Sequence, residues 1–211
     1  MLDDMNWGEV EWLWLATRIL VLLVCVSVHE SAHAWAADRL GDRTARSLGR
    51  VSLNPLVHID WVGSILFPLL TLLSGVGVVL GWAKPVPVNP HNLPGRFGHA
   101  LVAAAGPAGN LLLAAGCWAA LRASLAFGLG GLAEIWYFGL ILNVVLAAFN
   151  LFPIPPLDGS WILRSVLPKP FSALFDGIQP YGVALLFLLL YLGVFSTVLT
   201  PILAFVRRFA V

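Results

Sequence analysis

Residues Trp12 to Val28 form a run of seventeen in which Arg18 is the only charge. A stretch of that kind is stable as a helix in lipid, where all its backbone groups pair internally. About twenty mainly apolar residues cross a bilayer, so the run with its continuation to Ala37 predicts the first span. That span carries His29-Glu30-Ser31-Ala32-His33 towards its far end. Residues four apart on a helix lie one turn along on nearly the same face. His29 and His33 can therefore hold one metal ion, and Glu30 can reach a water bound to it. Two imidazoles, a third ligand and a water suit catalytic zinc. Chance placement is a poor explanation, because two histidines and a glutamate in membrane-like sequence are costly to bury.

The rest of the chain agrees with a membrane protein. Of 211 residues, 59% are hydrophobic and 11% charged, against about a quarter charged in soluble domains. Net charge is +1, and the absence of a basic run argues against a nucleic-acid partner. Cys25 and Cys117 lie inside apolar runs and read as small buried hydrophobes. The start, Met1 to Glu11, is acidic, unlike the basic beginning of a secretory signal, so no cleaved signal is expected.

Further apolar runs are Trp61 to Leu80, Gly98 to Leu121, about Ile135 to Phe149, and Tyr181 to Phe205, the last with a kink expected at Pro201. Pro85 and Pro87 force the segment Gly81 to Pro90 into extended backbone. Their alternation leaves one edge of that segment without donors. Val86 and Val88 keep theirs on the other edge, which can either hold an unwound substrate as an added strand or pair within the protein. Asn150 to Gly159 contains three prolines and ends the preceding span. Asp158 stands where an N-cap would open a short helix, Trp161 to Leu167. It is also the best-placed carboxylate to complete the metal site.

Arginines collect after the first span: Arg39, Arg43, Arg46 and Arg50. Positive charge marks the cytoplasmic side, so the N-terminus is expected outside and the metal site towards the cytoplasm. For Asp158 to reach the histidines, an even number of crossings, or none, must separate Arg50 from Gly98. Residues 61–90 then form a re-entrant or returning segment. Arg18 is expected to snorkel to the outer surface beside Glu11, the alternative being a polar lining above the site. His58 and Asp60 are ligand types that here brace a loop. Ala105 and Gly109 form a small-xxx-small helix contact, and Asn110 bonds to another helix. The expected class is an all-α polytopic bundle of about four spans plus the 61–90 segment, as a single domain over residues 1–211.

His29-Glu30-x-x-His33, Gly106-Pro107-x-x-Asn110 and Asn150 through Leu157-Asp158-Gly159 resemble the site-2 protease family of intramembrane zinc metalloproteases. Gly41-Asp42, Gly49-Arg50, Leu53-Asn54-Pro55, His58-Ile59-Asp60 and Gly81 to Pro90 resemble its short prokaryotic branch, without PDZ or nucleotide-binding insertions. Trp61 departs from the proline usual there. The resemblance implies one zinc per chain on His29, His33 and Asp158, with Glu30 as catalytic base. It implies that Asn150 assists near the scissile carbonyl; from the residues alone, Asn150 serves equally as a helix C-terminal cap. It also implies transmembrane protein substrates cut in the bilayer of the cell membrane. Two other readings fit the residues: a membrane zinc hydrolase of another substrate class, and a non-catalytic zinc-binding regulator or transporter. A transporter has no need of Glu30.

Overall fold

The computed structural model describes residues 12–66 and 83–210. The acidic N-terminus with Glu11, and most of the Trp61 to Leu80 run with Gly81, lie outside the described residues.

The regular structure among the described residues is helical, with no strand. The α-helices are α1 Trp12–Arg39, α2 Thr44–Ser47, α3 Gly95–Ala126, α4 Gly130–Asn150, α5 Asp158–Val166, α6 Lys169–Ile178, α7 Gly182–Tyr191 and α8 Val194–Ala210. Four stretches are long and apolar enough to cross a membrane: Leu13–Arg39, Gly95–Ala126, Gly130–Asn150 and Pro170–Tyr191. This is the all-α polytopic membrane protein expected from the sequence. Many large side chains point outward, Leu13, Leu112 and Tyr191 among them, as lipid-facing surfaces do.

At the centre, α3 packs against both α1 and α4. His33 near the end of α1 meets Val102 near the start of α3, while Cys25 meets Asn110 further along. The two helices are therefore antiparallel. Small residues bring them together: a Cβ added at Gly109 would lie 3.0 Å from the Cβ of Ala32. A tight turn at Gly128, with φ +69°, reverses the chain into α4. Cys117 and Leu121 of α3 share a core with Ala133 and Leu140 of α4 and Ala210 at the end of α8. At the opposite level, Phe195 at the start of α8 packs on Phe149 and Phe152, with ring centroids 4.9 and 4.4 Å apart. So α8 runs the full depth of the α3–α4 hairpin.

The ends of α1 and α4 and the start of α3 thus share one level, as the crossing count requires. Asp42 ties the loop after α1 to the segment entering α3. Its buried carboxylate accepts from Thr44 N (3.1 Å), Thr44 Oγ1 (2.5 Å), Asn89 N (2.7 Å) and Asn92 Nδ2 (3.0 Å). Burial alone would push this carboxyl up, but the bonds from Thr44, Asn92 and Asn89 hold it below the usual carboxylate range.

Two expectations are corrected. The terminal run is not one continuous helix. It breaks at Gly193, whose φ of +72° is the left-handed conformation that glycine adopts at a helix C-terminus, and Pro201 sits inside α8. Asp158 is not an N-cap. Leu157 takes that place, and Asp158 is the first residue of α5, its Oδ2 facing His29 and His33.

Candidate metal centre

His29 and His33 project from one face of α1 into α3 and are both buried. Nδ1 of His29 lies 2.6 Å from Asn110 Oδ1, and Nδ1 of His33 lies 2.7 Å from the Val102 carbonyl oxygen. Both partners can only accept. Each ring therefore carries its proton on Nδ1 and presents a lone pair at Nε2. The two Nε2 atoms are 3.0 Å apart. Asp158 Oδ2 approaches them at 3.2 and 3.3 Å.

Three electron-rich atoms thus converge, all within 4.8 Å of one another. Asp158 Oδ2 is buried with no hydrogen-bond donor. Such an arrangement is repulsive unless a cation or a proton sits in the middle. Two imidazole nitrogens and one carboxylate oxygen are a fitting donor set for zinc with a fourth position open.

Backbone economy makes the convergence possible. A Cβ at Gly106 would overlap the rings of His33 and His29, so the site needs glycine there and not merely a small residue for helix contact. A Cβ at Gly159 would overlap the carbonyls of Leu151 and Phe152. That contact holds the start of α5, and with it Asp158, against the end of α4.

Glu30 is half-buried and does not join the three ligand atoms. Its Oε2 accepts from Val86 N at 3.1 Å. Residues 83–89 form neither helix nor strand, and the donor edge, open in sequence to a substrate or to pairing within the protein, makes two bonds inside the protein. Lys84 N donates to the His58 carbonyl at 3.0 Å and Val86 N to Glu30. Alternating prolines tell which edge keeps donors; what that edge faces depends on α1.

Asn150 lies at the last turn of α4, where its Nδ2 donates to the Leu146 carbonyl at 2.9 Å. Gly159 seats the Asp158 helix on the residue that follows it. His58 Nε2 sits 2.7 Å from the Ser52 carbonyl oxygen, and Asp60 Oδ1 accepts from Gly63 N at 2.7 Å. Both are loop braces outside the ligand group. Arg18 lies over the ring of Trp14, 3.1 Å from its centroid, exposed on the outer part of α1 and not lining the centre.

Sequence reasoning passed over Asn143. It is fully buried on α4 and bonds to Asn110. Its signal was available: an amide inside an apolar run, the same cue that marked Asn110.

Residues 125–190 match the family described as peptidase family M50. The chain is 36% identical over 193 residues to the "Putative zinc metalloprotease YwhC" of Bacillus subtilis, covering 88% of this chain and 84% of that protein. It is 33% identical over 154 residues to the "Putative zinc metalloprotease Rip2" of Mycolicibacterium smegmatis, covering 69% of this chain and 56% of that one. No solved structure matches the chain. The match to a relative along most of both chains, together with the family match over the end of α3, α4 and the Asp158 helix, shows that this chain belongs to peptidase family M50.

Proposed function

We propose that the chain cleaves peptide bonds of transmembrane protein substrates inside the bilayer, near the cytoplasmic leaflet. Membership of its family makes it a zinc metalloendopeptidase; the finer reading concerns where it cuts and with which residues. One zinc per chain is held by His29, His33 and Asp158, and the whole of residues 1–211 acts as one membrane-embedded domain. The observation that carries this reading is the meeting of two Nε2 lone pairs with the donor-less Asp158 Oδ2, on a helix whose apolar length is that of a membrane span.

When bound, zinc supplies Lewis acidity to a water and to the scissile carbonyl. Glu30 takes the proton of the attacking water and returns it to the leaving amine. The Val86 N–H holds one oxygen of that carboxylate and leaves the other for the water. Asn150 spends one amide N–H on the Leu146 carbonyl and offers its second to the developing oxyanion. Asn110 and the Val102 carbonyl keep both imidazoles in the ligand-competent tautomer. The clustered Arg39, Arg43, Arg46 and Arg50 support a cytoplasmic position for this end of α1, in a multi-pass protein of the cell membrane with its N-terminus outside.

Co-expression with single-span membrane proteins tests the reading. Truncated substrate is expected with the wild type and not with Glu30→Gln. Equal truncation by both would show that another protease is responsible.

A further inference from the structure

We propose that Asn143 is a positioning residue of the metal centre: from α4, it fixes the orientation of the Asn110 amide and thereby keeps His29 able to bind zinc. The inference rests on His29 being a ligand and deepens that reading.

Asn143 touches neither histidine. Its Nδ2 donates to the Gly139 carbonyl at 2.8 Å and to Cys25 Sγ at 3.1 Å. The Gly139 carbonyl can only accept, so the NH2 of Asn143 must face it and Oδ1 must face the other way. That oxygen receives Asn110 Nδ2 at 2.8 Å. The Cys25 carbonyl receives the same Asn110 nitrogen at 3.1 Å. Two acceptors therefore hold the NH2 of Asn110 away from His29. Its Oδ1 is left 2.6 Å from His29 Nδ1.

The consequence is a matter of proton placement. Were the Asn110 amide turned over, an N–H would face Nδ1 of His29. The imidazole would then place its proton on Nε2, and a protonated nitrogen has no lone pair for a metal. Asn110 and Asn143 are both wholly buried, so no water competes for their orientation. The chain of bonds runs from α4 through α3 to α1 and ends at Nδ1 of His29, the ring nitrogen opposite the one that faces the cluster. Because the Cys25 carbonyl supplies a second hold, loss of Asn143 loosens the arrangement without abolishing it. Loss of a partner behind a metal ligand typically weakens affinity by about tenfold to a hundredfold.

The competing role for Asn143 is a polar contact between helices and nothing more. The test uses the purified full-length chain in detergent. Zinc affinity is measured by competition with a chromophoric chelator, and coordination by the visible absorption of the cobalt-substituted protein. Asn143→Leu is expected to weaken zinc binding about tenfold to a hundredfold and to alter the cobalt spectrum. Adding Asn110→Asp to it is expected to restore both, because a carboxyl presents an oxygen to Nδ1 whichever way it turns. Wild-type affinity in Asn143→Leu overturns the proposal. So does a double variant as weak as the single one, which is what lost helix packing would give. If Asn143→Leu does not fold, Asn143→Asp decides, since it keeps an oxygen opposite Asn110: near-wild-type affinity supports the proposal and lost affinity overturns it. His29→Ala serves as control. Unchanged zinc affinity there would sink the ligand assignment itself, a failure distinct from that of the relay.

Discussion

His29 and Glu30 are neighbours in sequence, proposed here for opposite tasks, and the geometry separates them. His29 gives its Nε2 to the cluster, while Glu30 turns to the Val86 N–H. Glu30→Gln is therefore expected to keep stoichiometric zinc by elemental analysis and to lose proteolysis by a hundredfold or more, on the order expected for a general base. Loss of zinc in that variant would make Glu30 a ligand. Gly106 makes a second test at this scale. Alanine there has no room beside the His33 ring, so Gly106→Ala is expected to lose zinc, whereas Gly116→Ala, with open space around it, is expected to keep it. The meeting of His29, His33 and Asp158 was legible in sequence because a helix converts a spacing of four into a shared face, and because carboxylates are scarce enough to single out Asp158. Asn143 was not, since an amide in an apolar run says that it has a polar partner and not which one.

Among the elements, the segment from Lys84 to Asn92 is the one held by a different principle. It has no helix until Pro90 and no strand partner among the described residues, so side chains of other elements fix it, Asp42 and Glu30 foremost. A carboxylate held below its ordinary pKa stabilises the fold at every pH above its unfolded value, and that stabilisation is lost as the pH falls through the lower folded value. For Asp42 the loss falls in the acid range, below about pH 4. At neutral pH, Asp42→Ala is expected to cost about 1–3 kcal/mol and to raise protease nicking around residues 84–92 without removing zinc. Nicking at the wild-type rate would contradict the anchoring role. Alternating prolines made the absence of helix in this segment legible, but the inward bonds of Lys84 and Val86 depend on His58 and on Glu30 of α1. In the terminal run, unbroken hydropathy hid the break at Gly193, because a left-handed glycine costs nothing that composition records.

At the scale of the molecule, crossing parity was legible from charge and from the need to bring Asp158 to the histidines. The antiparallel α1, α3 and α4 meet that requirement. The course of α8 was less legible because Arg207 and Arg208 run against the positive-inside trend. Its packing from Phe195 beside Phe149 to Ala210 in the core with Leu121 and Ala133 puts Arg208 at the same level as the start of α1. Single cysteines in place of Arg46 and Arg208, in a chain with Cys25 and Cys117 replaced by alanine, are expected to label from opposite faces of sealed vesicles. Labelling from one face would remove α8 as a crossing. The most direct measurement of all is cleavage-site mapping, by mass spectrometry, with the purified enzyme and a single-span substrate reconstituted together in liposomes. The expected result is a cut within the transmembrane segment, nearer its cytoplasmic end, abolished by Glu30→Gln and by zinc chelation and recovered when zinc is restored. A cut confined to residues outside the bilayer, or one that survives Glu30→Gln, would contradict intramembrane proteolysis at this centre.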